Sequence, residues 1–203
     1  MDFKAAFLEF FASFILFLRN LIFLILFPYR ALRKIVLEPD RLHLYFLFFL
    51  VFLYLVFQEM IRPVRFDAFT TFLIFLFNFY LSVFFIFFVL KKIGKDIDFE
   101  ALQVAFAYTL VPTLAWFFTT LFLYKVLPPP RTTSFLGVSF SLVYLTFSSA
   151  LFFWKVMLFY LVIRFLSGIK FFRVLYVMLL YTAVFLPYFI LLYFLKIFRV
   201  PLI

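Results

Sequence analysis

Tyr108, Thr109, Pro112 and Thr113 bring a phenol, two hydroxyls and an imino acid together within an otherwise apolar run. A proline at 112 leaves the carbonyl of Tyr108 without its helical partner and predicts a kink. A freed carbonyl flanked by hydroxyls is a ligand set for a cation or a polar solute. Hydroxyls one turn away also satisfy such carbonyls in ordinary membrane helices, so a purely structural kink stands beside that reading. Pro187 repeats the device at Ala183, and Tyr181 and Tyr188 fall on one helical face. If the two kinks met, Asn78 and Gln103 would complete a polar interior. That interior would hold no carboxylate, so a proton relay or a sodium-coupled site of the usual kind is not expected. Interhelical hydrogen bonds that hold a bundle together are the alternative use of these residues.

Lys155 follows Trp154 inside a later apolar run, about 12 Å of helix from that run's end at Ile163. It is read either as an anion or lipid-headgroup contact or as a lysine that snorkels to the interface beside an interfacial Trp. Ser139, Ser141, Thr146, Ser148 and Ser149 give the same run a small-residue surface for close packing, within one chain or in a homo-oligomer. His43 is the single histidine and makes neither a metal site nor a triad by itself. Asp96, Asp98 and Glu100 sit beside Lys91, Lys92 and Lys95. Too few oxygens are present there for calcium, and the group reads as a surface charge mixture capping the next helix. No phosphate loop, serine nucleophile motif, HExxH or paired catalytic carboxylates occur. The expectation is a protein without catalytic activity, cofactor or metal.

The elements that must position these residues follow from composition. The 203 residues are 69% hydrophobic and include 41 Phe, against 3 Gly and no Cys. An average domain is about half apolar, so the excess is surface facing hydrocarbon. After Glu100 there is no further acidic residue. The runs are apolar on every face, which excludes a β-barrel. The expected fold is all-α, a polytopic membrane bundle. Five spans are read: Leu42 to Phe57 with an extension to Met60, Ala68 to Leu90, Ala101 to Tyr124, Phe135 to Ile163, and Phe171 to Leu195. Residues 1–41 form an N-terminal amphipathic or interfacial region, and residues 42–203 the five-helix membrane domain. Pro128-Pro129-Pro130 predicts a rigid turn, and Ser167-Gly168 a helix stop. In Ala5 to Phe27, Asp2, Glu9, Ser13 and Asn20 share one stripe. That favours an in-plane or shallow helix over a sixth span, or a helix that packs the stripe on the bundle. Glu9 also interrupts any signal-peptide core. Tyr29 to Leu37 reads as a short basic surface helix.

The net charge of +10 is spread in small clusters between apolar runs, a pattern for anionic headgroups and not for nucleic acid. Arg30, Arg33, Lys34, Arg41, Lys91, Lys92, Lys95, Arg164, Lys170 and Arg173 fall on one side. Arg62, Arg65, Lys125, Arg131, Lys196 and Arg199 fall on the other. The excess places the N-terminal basic segment in the cytoplasm and the C-terminus outside.

Three stretches carry a resemblance to a known family. They are FPYRALRKIVLEPDRL before the first span, LKKIGKDIDFEALQVAFAYTLVPTLAWF leading into the third, and FWKVMLFYLVIRFLSGIKFFRVLYVMLL across the fourth and fifth. Together they resemble the Yip1 family of five-span membrane proteins. The Gly-rich character of that family's second-to-third loop is reduced here to Gly94. The resemblance implies a non-enzymatic membrane protein that organises lipids or protein partners. Without the long N-terminal region of the eukaryotic, Rab-binding relatives, it implies a prokaryotic-type member in the cytoplasmic membrane. A transport component, with a polar pathway at the Pro-kinked third and fifth spans, is the alternative.

Overall fold

The computed structural model describes residues 3–61, 66–126 and 135–195. Eight helices follow one another there: α1 Phe3–Leu26, α2 Pro28–Leu37, α3 Arg41–Ile61, α4 Ala68–Lys92, α5 Phe99–Tyr108, α6 Val111–Val126, α7 Phe135–Ser167 and α8 Phe171–Phe194. The described residues contain no strand. Six segments are long and apolar enough to cross a membrane: α1, α3, α4, α5 with α6, α7, and α8. The chain is an all-α polytopic membrane bundle. The expected Pro128-Pro129-Pro130 turn, Arg62, Arg65, Arg131 and the residues after Leu195 lie outside the described residues.

Helix ends are set by short-range chemistry. Asp67 caps α4: its carboxylate accepts the Thr70 amide at 3.1 Å, and Glu59 of α3 accepts the Ala68 amide at 2.8 Å. The bonds from Thr70 hold the Asp67 carboxyl below its ordinary value. Asp98 caps α5 by accepting the Glu100 amide at 2.9 Å, the capping role read for that acidic cluster. Asp40 caps α3 through the Leu42 amide at 2.8 Å. Gly168 stops α7 at a φ of 59°, where a side chain would be strained.

The core is aromatic. Phe48 of α3 meets Phe75 and Phe79 of α4 edge to face, and Phe79 meets Phe106 of α5 at a tilt. Phe106 meets Phe159 of α7, which meets Tyr181 of α8. α5 is the most enclosed element, with every residue from Val104 to its end at Tyr108 buried, and Thr109 and Leu110 beyond it buried too. Its small Ala101, Ala105 and Ala107 let its neighbours approach closely.

The N-terminal region is built differently from the in-plane helix favoured for it. α1 buries a stripe containing Ser13, Phe17 and Leu24, so part of its polar stripe faces the bundle. Its outer surface, including Phe7, Phe11, Ile15, Ile22 and Ile25, is apolar. A helix lying at the interface needs a polar face toward water. α1 instead presents hydrocarbon-compatible surface on its exposed sides, broken by Glu9 and Arg19. The amphipathic element is α2, which buries Ala31, Leu32 and Ile35 and exposes Arg30, Arg33 and Lys34. Tyr29 at the start of α2 packs on Phe165 near the end of α7. Arg41, the first residue of α3, pairs with Glu100 at the start of α5. α2 packs against α1, α5 and α7.

Candidate functional site

The third span is broken, not merely kinked. α5 ends at Tyr108 and α6 begins at Val111. The turn between them is closed by the Thr109 amide on Phe106 O at 3.0 Å and the Leu110 amide on Ala107 O at 2.9 Å. The Thr109 hydroxyl also donates to Phe106 O, at 2.6 Å. Pro112 therefore falls in the first turn of α6, where a missing amide hydrogen costs nothing. The expectation of a kink is corrected to a helix end followed by a helix start.

Tyr108 does not join Thr113. It is fully buried, and its hydroxyl lies 3.1 Å from His43 Nδ1. Asn20 of α1 approaches the same hydroxyl. His43 Nε2 is buried without a hydrogen bond, 3.5 Å from an Asp40 carboxylate oxygen. That oxygen in turn accepts the hydroxyl of Ser13. A chain of polar groups thus runs Ser13–Asp40–His43–Tyr108 and ties α1 and α3 to the end of α5. His43, set aside in the sequence as isolated, is central to it. Asp40 and His43 stand three residues apart at a helix start, a spacing that could have flagged the pair. Ser13 and Tyr108 are 27 and 65 residues from their partners, and no local pattern signals them.

Asn78 and Tyr188 do come together. The Tyr188 hydroxyl donates to Asn78 Oδ1 at 2.8 Å, and Asn78 Nδ2 donates to Ile74 O at 2.8 Å. One turn along the same seam, the Tyr181 hydroxyl donates to Ser82 Oγ at 3.1 Å. These bonds stitch α4 to α8. Pro187 lies on the exposed side of α8, which continues through it, so it shapes no interior. Gln103 is half-buried on α5 and belongs to neither group.

The third cluster lies between α6 and α7. Lys155 does not snorkel. Its Nζ donates to Thr113 Oγ1 at 2.9 Å. Trp116 Nε1 donates to Ser148 Oγ at 3.0 Å one helical turn further on. A cavity of about 80 Å³ is lined by Pro112, Thr113, Trp116, Ser148, Leu151, Phe152 and Lys155. The two bonded residues sit close to the middles of their spans, Phe99–Val126 and Gly137–Ser167. A lysine at such a depth costs about 2.5–3.5 kcal/mol, and among the described residues no acid pairs with it. The small-residue surface of α7 is used unevenly. Ser148 faces α6, Ser141 and Thr146 bond their own helix at Gly137 O and Leu142 O, and Thr146 and Ser149 are exposed.

The residues expected to share one polar interior therefore fall into separate groups: Tyr108 with His43, Asn78 with Tyr188, Thr113 with Lys155, and Thr109 with its own backbone. No family model matches the chain, and neither a curated protein nor a solved structure does.

Proposed function

We propose that this integral membrane protein catalyses no reaction and organises anionic lipids or protein partners at its basic face. The observation that carries this reading is how its polar groups are used. Within the spans, the described polar side chains bond one another across separate helix seams or bond their own helix, and the cleft between α6 and α7 gathers Thr113, Trp116, Ser148 and Lys155 but neither Tyr108, Asn78 nor Tyr188. The Arg30, Arg33 and Lys34 side chains of α2 face outward together, on a helix that packs against α1, α5 and α7. Among the described residues, only Lys34 of these three has an ion-pair partner, the exposed Glu38 at 3.7 Å. Each such cation near an anionic surface contributes about 1 kcal/mol of attraction.

The excess of Lys and Arg on that side supports a cytoplasmic placement of α2 and an external C-terminus. The resemblance to the Yip1 family supports the same non-enzymatic reading, in a prokaryotic cytoplasmic membrane. Asn78 and Tyr188 share the α4–α8 seam, Thr113 lies between α6 and α7, and Thr109 bonds its own backbone, which favours this over a transport pathway lined by all four.

Lipid analysis of the purified protein tests the proposal. Anionic lipids are expected to co-purify several-fold above their share of the membrane. Replacing Arg30, Arg33 and Lys34 with Gln should return them toward that share. Equal lipid profiles for the two proteins, with no partner crosslinked from α2 in native membranes, would overturn it.

A further inference from the structure

Lys155 stands in the half of the chain that has no acidic residue, and it points into a cleft. One of its three N–H groups is used by Thr113. Among the described residues the other two have no hydrogen-bond partner, and Lys155 lines a space whose polar rim is Thr113 and Ser148 and whose remaining walls are Pro112, Trp116, Leu151 and Phe152. Trp116 is held in place by its bond to Ser148, so the wall is ordered. Phe152 is half exposed on the outer surface of α7, so the cleft opens sideways toward lipid and not toward either aqueous face. The nearest acid in sequence, Glu100, is engaged by Arg41 at the base of the bundle.

A cation in this position is matched only by an anion that arrives through the bilayer. The cavity of about 80 Å³ holds a carboxylate and its first methylenes but not a glycerophosphate headgroup. Depth makes the same selection. A phospholipid phosphate is anchored at the interface, about 15 Å from the bilayer centre. A single-chain acid can sink to mid-span with its tail still in hydrocarbon. We propose that this cleft binds the carboxylate of a long-chain fatty acid, with Lys155 as the charge partner and Thr113 orienting the ammonium. The site goes beyond the function proposed above and does not depend on it, because a lipid-organising scaffold stands with or without it.

The chain has two Trp, and Trp154→Phe leaves Trp116, a wall of the cleft, as the sole Trp, read by red-edge excitation that does not excite tyrosine. The probe is 2-bromohexadecanoic acid, whose bromine sits beside the carboxylate. With no Cys in the chain, the probe's alkylating chemistry finds no thiol. In lipid nanodiscs at neutral pH, the acid should quench Trp116 saturably, while its methyl ester should quench only in proportion to its mole fraction. Lys155→Gln should weaken apparent binding at least about tenfold, and Lys155→Arg should stay within about threefold. Leu151→Phe, which fills the cleft and keeps the lysine, should abolish saturation. It carries the test if Lys155→Gln fails to give a helical, monodisperse protein. Hexadecyl phosphate should compete poorly. Equal, unsaturable quenching by acid and ester would overturn the proposal, as would unchanged binding in both Lys155→Gln and Leu151→Phe. Strong competition by the alkyl phosphate would overturn the assignment of a carboxylate.

Discussion

Removing the Tyr188 hydroxyl separates a dry seam from a water-lined pathway. Tyr188→Phe deletes one oxygen and leaves Asn78 Oδ1, on a residue only 1% exposed, without its donor. An unpaired buried acceptor costs about 1–3 kcal/mol. Hydrogen bonds between membrane helices average nearer 0.6 kcal/mol and reach about 1.7, because the unfolded chain in lipid finds other partners. Asn78 also keeps its bond to Ile74 O, so its amide stays half satisfied. The expected loss for Tyr188→Phe is therefore about 1 kcal/mol. In a cycle with Asn78→Leu, the coupling should be about 0.6–1.7 kcal/mol. The assay is reversible unfolding in mixed micelles by SDS titration, followed by far-UV circular dichroism. If the seam were a hydrated pathway, water would replace the lost donor and the coupling would vanish. A coupling below about 0.3 kcal/mol, the usual error of additivity, would refute the reasoning.

The Tyr181–Ser82 bond is longer, and Tyr181→Phe should cost less than Tyr188→Phe in the same titration. Ser13→Ala should release α1 from Asp40 without unfolding α3 to α8, seen as faster amide exchange confined to α1 and α2. Gly168→Ala meets no atom within 4 Å, so its cost is the strain at φ 59° alone, about 1 kcal/mol in the SDS titration. Asp67 contributes an acid-range effect. Its folded value is lowered, so its stabilisation is complete above its unfolded value of about 3.9 and is lost as pH falls through the lowered folded value. Asp67→Asn should keep the cap and flatten that part of the profile, measured as SDS midpoints between about pH 3 and pH 6.

Much of the bundle was legible because the bilayer demands long apolar helices with satisfied backbones. The second, fourth and fifth spans begin at the expected residues Ala68, Phe135 and Phe171. Ser167-Gly168 stops α7 because glycine alone takes that backbone conformation without strain. α1 was harder, since a polar stripe looks the same whether it meets water or other helices. Pro112 alone predicts a kink, because sequence does not reveal whether a proline falls inside a helix or at its first turn. The site was legible by residue type but not by pairing. Asn78, Tyr188, Thr113 and Lys155 all proved to be interior hydrogen-bonding groups. Their partners are set by which helices neighbour each other: α8 packs on α4, while α7 packs on α6. Helix order around a bundle has no signature in local periodicity. His43 was set aside for the same reason, because its phenol partner arrives from α5.

Water access to the α4–α8 seam tests most directly the claim that this bundle spends its polar groups on packing. The chain has no Cys, so Ser82→Cys, nearly isosteric at a fully buried position, gives a single reporter, and Lys95→Cys, partly exposed in the turn after α4, gives an accessible control. In native membranes opened to both sides, a charged membrane-impermeant maleimide should label position 95 completely. It should leave position 82 unlabelled until the protein is denatured. Labelling of position 82 in the folded protein at a rate near that of the control would show a hydrated pathway, and would contradict the account.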